Sequence, residues 1–263
     1  MFFSFDSLNV LSSLILSLAV QALFFAFAAY LRTDKVTDLS YSLSFIVITA
    51  FLLVAERAFA PLQLLVALLV LAWAFRLGSY LFARILRMGK DERFDDKRGN
   101  FREFLKFWIL QAFAVWVIML PVTVLLSLDG VADLGAVSLA GVFLWAIGFV
   151  IEAASDAQKA AFKKEPANSG RWIDSGLWRF SRHPNYFGEI LQWWGVFVAA
   201  APAFPPLAFL TVAGPLSISL LILFVSGVPL LEKSADRKYG ADPGYQDYKR
   251  RTSILVPLPP RKA

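Results

Sequence analysis

The chain contains seven long apolar runs, at about residues 8–31, 39–56, 61–87, 104–127, 135–158, 185–200 and 206–231. A helix rises 1.5 Å per residue, so roughly 20 apolar residues are needed to cross about 30 Å of hydrocarbon. All but one run meet or approach that length. The exception, 185–200, follows Pro184, and proline is well tolerated in the first turn of a helix. Hydrophobic residues make up 58% of the chain and charged residues only 17%, against roughly 25% charged in a soluble domain. Too little polar surface remains to wrap a soluble core. The first run, Leu8 to Leu31, lacks the basic head of a signal peptide and reads as a span. The expected fold is therefore all-α: one integral membrane domain over 1–263 with seven transmembrane helices.

The basic residues support that count. Lys and Arg number two at 32–38, one at 57–60, eight from Arg84 to Lys106 and none at 128–134. They then number six from Lys159 to Arg182, none at 201–206 and eight from Lys233 onward. Rich and poor connections alternate, which under the positive-inside rule puts the N-terminus outside and the C-terminus in the cytosol. Three polar segments, Gly89–Phe104, Lys159–Pro184 and Lys233–Ala263, then share the cytosolic face, where solvent-accessible chemistry is expected. The net charge of +6 reads as a topology signal and not as a nucleic-acid footprint. Basic loops that only set topology and touch anionic lipid are the plain alternative.

Missing residue types exclude several chemistries. The chain has no Cys and a single His, His183. That removes disulfides, thiolate zinc, a cysteine nucleophile and multi-histidine metal sites, so no metal is expected. Glycines never fall two apart, which rules out a Rossmann GxGxxG fingerprint. A nucleotide would have to be held by side chains.

Polar residues inside the apolar runs need a reason. Arg76 lies roughly ten residues from the cytosolic end of the third run, and a lone charge at that depth costs at least about 2.5–3.5 kcal/mol. Arg76, Tyr80 and Arg84 share one helix face at i, i+4, i+8. For Arg76 and Tyr80 a polar cavity is expected; for Arg84, an interfacial position. Asp38, Tyr41, Ser42 and Ser44 open the second helix. Glu152, Ser155, Asp156 and Lys159 are read as the end of the fifth, where acids oppose the helix dipole and so call for a ligand or a basic partner. The densest segment runs from Asn168 to Trp194. There Arg171, Arg179, Arg182 and His183 lead into a helix start at Pro184, a combination suited to an anion. Asn185, Glu189 and Trp193 follow near one face.

The run Ser181-Arg-His-Pro-Asn-Tyr-Phe-Gly-Glu, with Tyr245-Gln-Asp-Tyr-Lys-Arg-Arg-Thr-Ser-Ile-Leu-Val-Pro near the end, resembles the membrane steroid 5α-reductase family. The likeness is closest to its bacterial branch, long catalogued as a domain of unknown function. Trp73-Ala-Phe-Arg-Leu-Gly-Ser-Tyr-Leu and Gly89-Lys-Asp-Glu-Arg-Phe are similar to that branch as well. The resemblance implies a seven-helix reductase that takes NADPH from the cytosol and saturates a carbon–carbon double bond conjugated to a ketone. Its substrate would be a 4-en-3-one steroid or a similar lipid enone entering from the bilayer. The implied setting is a monomer in the bacterial inner membrane, or in the endoplasmic reticulum of a eukaryote.

Carried over by motif, the resemblance implies cofactor contacts at Asn185, Tyr186 and Glu189, with Arg182 and His183 just before them. It also implies Asp156, Lys163 and Arg171, the tail residues Tyr245, Tyr248 and Arg251, and Asp91 and Arg93 on the first cytosolic loop. Lys163 stands where the family often has Arg, which keeps charge but loses the bidentate fork. Tyr80 falls where a tyrosine of the family meets the substrate carbonyl. The family's Gln-Glu pair early in the second helix has no counterpart. Glu56 follows Ala55 and lies about 18 residues, roughly 27 Å, along that helix; it reads as interfacial, beside Arg57. Asp38 or Tyr41 is the expected partner of Tyr80.

Isoprenylcysteine carboxyl methyltransferases also carry Arg-His-Pro-x-Tyr before a membrane helix and bind S-adenosylmethionine. The Asn-Tyr-Phe-Gly-Glu continuation and the Tyr245–Pro257 ending favour the reductase over that alternative. A transporter would show broken helices and paired half-repeats, and neither is visible in the sequence.

Overall fold

Caps in the sequence set where several helices begin. The computed structural model describes residues 6–89, 99–131 and 133–261. The Asp6 carboxylate accepts from the Leu11 and Ser12 amides (3.1 and 2.7 Å) at the start of α1, Val10–Leu31. Helix α2 spans Thr37–Ala55. Pro61 opens α3, Pro61–Met88, and Gly89 ends it at φ 82°, a conformation that suits glycine. The Asn100 side chain accepts from the Arg102 and Glu103 amides to start α4, Phe101–Ser127. Next come α5, Ala136–Lys164, and α6, Pro184–Ala200.

The last apolar run is not one regular helix. It passes from a 3₁₀ stretch, Pro206–Val212, through α7, Ala213–Leu220, to a π-helical turn, Leu221–Val225. Helices α8, Val228–Tyr239, and α9, Pro243–Arg251, follow. Asp242 caps α9 by accepting from the Gly244 and Tyr245 amides. The protein is all-helical, with no strand among the described residues.

Among the described residues, six helical segments are long and apolar enough to cross a membrane: α1 to α5 and the continuous stretch Pro206–Tyr239. This is a multi-pass membrane protein. Helix α6, the short run in the sequence, has 17 residues.

The chain divides into two compact units. The first comprises Met1–Gly141 and Val196–Gly214. In it α2 packs on α3 and α1, and α4 on α1 and α2. Lipid offers no hydrophobic drive between helices, so side-chain hydrogen bonds and close packing supply the cohesion. The Gln21 amide donates to Ser44 Oγ (2.9 Å), and Gln111 donates to Gln21 Oε1 (2.9 Å), which ties α1, α2 and α4 together. Gln63 donates to the Leu125 and Leu128 carbonyls, both at 3.0 Å, and so fixes α3 to the end of α4. Gly78 lets α3 close on α2, since a Cβ there would sit 2.9 Å from Ser42 Cβ.

The second unit comprises Val142–Gly195 and Pro215–Ala263. It holds most of α5 and α6, the loop between them, α8, α9 and the tail.

Candidate functional site

Helices α5 and α6 cross at two glycines. A Cβ on Gly148 would lie 2.6 Å from the Gly188 carbonyl, and one on Gly188 would lie 2.5 Å from the Gly148 carbonyl. That approach brings the next turns together: Gln192 Nε2 donates to Glu152 Oε2 at 2.5 Å, with both residues buried. Asp156, one turn further, is buried too. Sequence reading ended this helix near residue 158, whereas α5 continues to Lys164. Glu152 and Asp156 are therefore interior residues, and Lys163 and Lys164 occupy the last turn, where the dipole favours them. The apolar run stops at Lys159, but Ala160, Ala161 and Phe162 prolong the helix.

The loop after α5 is pinned to it. Trp178 is buried; its indole N–H donates to the Ser155 carbonyl at 3.0 Å, and Lys159 Nζ stands 4.4 Å from its ring centroid. The Leu177 amide donates to Gln158 Oε1 at 2.9 Å. Gly176, at φ 60°, a conformation that suits glycine, fits under the Gln158 amide, which would have to shift for a Cβ.

The tail then closes over the loop. Tyr248 donates its hydroxyl to the Trp178 carbonyl (2.8 Å), Ser181 Oγ donates to the Leu255 carbonyl (2.6 Å), and the Arg182 amide donates to the Ser253 carbonyl (2.8 Å). The two motifs that carry the resemblance, around 181–189 and 245–257, are thus one hydrogen-bonded assembly.

Glu232 of α8 gathers the charges. Arg182 Nη1 donates to Glu232 Oε2 at 2.6 Å, and His183 Nε2 lies 2.8 Å from Oε1. Lys249 Nζ is 3.6 Å from Glu232 and 2.6 Å from Asp236, which also accepts from the Tyr245 hydroxyl at 3.3 Å. Burial pushes the His183 imidazole below its ordinary range; Lys159 and Arg182 act in the same direction, while Glu232 opposes them. Burial and the nearby Asp236 push the Tyr245 phenol up to about 12. Burial raises the Tyr248 phenol as well.

Most of the expected cofactor residues lie in this unit. His183 stacks on Tyr186, with ring centroids 5.7 Å apart and planes at 17°. His183 Nδ1 and Asn185 Oδ1 are buried without a hydrogen-bond partner. Glu189 is half-buried one turn after Asn185, and Lys163 and Arg171 are exposed. Arg251 is taken up internally: Nε donates to the Arg261 carbonyl (3.0 Å) and Nη1 pairs with Asp247 (3.3 Å). Asp91 and Arg93 lie outside the described residues.

The expected catalytic residues belong to the first unit. Arg84 reaches Asp38 Oδ2 at 3.1 Å, a partly exposed ion pair between α2 and α3. Tyr41 packs edge-on against Phe45 and Trp73. Tyr80 is half-buried on α3, and Glu56 forms the C-cap of α2.

Sequence reading passed over Glu232 and Gln192. Each carried a signal: Glu232 is the acid that closes the last apolar run, and Gln192 is a polar residue inside the apolar sixth run.

Fold and site together define a multi-pass all-helical membrane protein with a polar, charge-paired assembly built on the α5–α6 crossing. The chain belongs to the DUF1295 family, proteins of unknown function, whose model matches residues 24–252. It has no significant match among curated proteins or among solved structures.

Proposed function

We propose that the protein is a membrane reductase of the steroid 5α-reductase type, using NADPH to saturate the conjugated double bond of a 4-en-3-one steroid or similar lipid enone. In this reading α6 also spans the membrane, which makes seven spans, the N-terminus is outside, and the loop and tail of the second unit face the cytosol. The observation that supports it most is the hydrogen-bonded union of the Ser181–Glu189 motif with the Tyr245–Pro257 tail, since these are the segments that resemble the reductases.

The residues present suit a dinucleotide. Two buried polar atoms at the start of α6, His183 Nδ1 and Asn185 Oδ1, have no protein partner, and buried polar groups left without one are costly. Asn185 and Glu189, one turn apart on α6, would hold the cofactor. Lys163 and Arg171, both exposed, serve its phosphates. Arg182, His183, Tyr245, Tyr248 and Arg251, engaged with protein partners, shape the wall. When bound, NADPH supplies the hydride that adds to the β-carbon of the enone. Tyr80 donates a hydrogen bond to the substrate carbonyl oxygen, on which negative charge develops, and solvent supplies the proton for the α-carbon. Asp38 or Tyr41 orients Tyr80. The protein acts as a monomer.

The test is incubation of proteoliposomes with NADPH and a panel of 4-en-3-one steroids, with products identified by mass. The expected product is heavier than its substrate by one hydride and one proton. Purified protein that ignores NADPH and retains S-adenosylmethionine would instead make it a methyltransferase.

A further inference from the structure

The stretch from Thr252 to Arg261 contains no helix, yet it is held in place. Its backbone carbonyls at Ser253 and Leu255 accept from Arg182 N and Ser181 Oγ, and the Leu258 amide donates to the Phe180 carbonyl at 3.0 Å. Those contacts leave every second side chain outward. Ile254, Val256 and Leu258 are exposed by 44, 47 and 53%, and Phe180, beside Leu258, by 37%. Three large apolar side chains on a fixed, non-spanning segment, with Phe180 of the adjoining loop, are more than scattered surface residues.

Charge surrounds them with one prevailing sign. Arg179 precedes Phe180. Arg261 is tied to Arg251 by its amide, which donates to the Arg251 carbonyl at 3.0 Å. Arg250, also exposed, shares Asp247 with Arg251. Arg179 and Arg261 have no acidic partner among the described residues. Phe180 is four residues ahead of apolar α6, which the proposed function takes as a span, and the tail comes after the last candidate span in the chain.

We infer that this tail is an interfacial anchor lying in the headgroup layer of an anionic bilayer. Ile254, Val256, Leu258 and Phe180 enter the upper acyl region, and Arg179, Arg250 and Arg261 rest on lipid phosphates. Apolar area combined with basic residues is the pairing that holds a segment in the plane of a membrane surface, and each arginine near an anionic leaflet is worth about a fivefold change in the bound-to-free ratio. The surface keeps the Ser181–Arg182 end of the α6 motif braced from the lipid side.

The absence of cysteine makes the test direct. The full chain carrying Val256→Cys, and separately Leu258→Cys, is labelled with an environment-sensitive fluorophore and reconstituted in vesicles of phosphatidylcholine with or without anionic phosphatidylglycerol. Ala241→Cys, exposed in the connection before α9, is the reference. Quenching by brominated lipid should be several-fold stronger at 256 and 258 than at 241 in anionic vesicles. It should weaken in neutral vesicles, at high salt, and in the Arg179→Gln/Arg250→Gln/Arg261→Gln variant. Labels as open to aqueous quencher at 256 as at 241 would overturn the inference. So would equal lipid quenching in neutral and anionic vesicles, or shielding from both quenchers, which would mean that protein covers the patch.

Discussion

His183 Nε2 lies 2.8 Å from Oε1 of Glu232, 49 residues further along the chain. The contact joins the residue just before α6 to the middle of α8 and neutralises polar groups that would otherwise be buried alone. With Arg182 on the other carboxylate oxygen, Glu232 is the single acid that two consecutive residues of the motif share. The carboxylate thereby fixes how the chain enters α6.

Glu232→Ala should therefore destabilise the second unit strongly. Truncating one member of a largely buried, hydrogen-bonded ion pair leaves the other charge stranded, at about 3 kcal/mol. Thermal unfolding in detergent should show a melting temperature lower by several degrees, with Glu232→Gln intermediate because it can still accept from Arg182. An unchanged melting temperature in both variants would refute the bracing role.

The lowered pKa of His183 gives a pH dependence whose sign can be stated. The unfolded imidazole titrates near 6.5, and burial holds the folded one below that. Between the two values the unfolded state binds more protons, so stability rises with pH through that window and is lost as pH falls from about 6.5 through the folded pKa. Melting temperatures compared at pH 7.5 and 5.5 should drop less on acidification in His183→Gln than in the unaltered chain. Equal drops would show that the Glu232 carboxylate offsets the effect of burial and leaves the imidazole in its ordinary range.

The sequence foretold the helices better than it foretold their ends or their contacts. Apolar runs mark spans because hydrocarbon tolerates little else. Hydropathy stops at the first lysine, however, so it ended α5 six residues early although Ala160–Lys164 continue the helix. It also marked 206–231 as one span, which lies within the single candidate span Pro206–Tyr239, but it did not show the irregular winding inside it. There Pro206 and Pro215 each lack an amide hydrogen, and Gly227 follows a π-helical turn, so the backbone changes its winding. The motif around His183 was legible as a patch of basic residues before a helix. Its partner Glu232 was not, because a contact across 49 residues is made by tertiary packing and leaves no local spacing to read.

Gly188 should tolerate no side chain. Its missing Cβ faces the Gly148 carbonyl at 2.5 Å and the Glu152 amide at 2.7 Å, both backbone atoms that cannot swing away. Gly188→Ala should thus force α5 and α6 apart and stretch the Gln192–Glu152 hydrogen bond, at a cost of about 1–3 kcal/mol typical of overpacking. A lowered melting temperature in detergent, together with weaker retention of NADPH, is the expected pair of readouts. A fully stable Gly188→Ala protein would show that the crossing is looser than its geometry indicates.

Tyr80→Phe and Asp38→Asn separate chemistry from packing in the first unit. The Asp38–Arg84 pair is partly open to solvent, with side chains 23 and 35% exposed, so Asp38→Asn should change stability by no more than about 1 kcal/mol. Tyr80→Phe removes only a hydroxyl and should leave the melting temperature nearly unchanged. If Tyr80 is the donor to the substrate carbonyl, its loss should lower kcat by about a hundredfold or more with little change in the KM for NADPH. Asp38→Asn should cost less, since it acts through another residue. Steady-state rates on an enone substrate decide the point: a Tyr80→Phe enzyme with unaltered kcat would remove Tyr80 from the chemistry and leave Asp38 as a packing residue of α2.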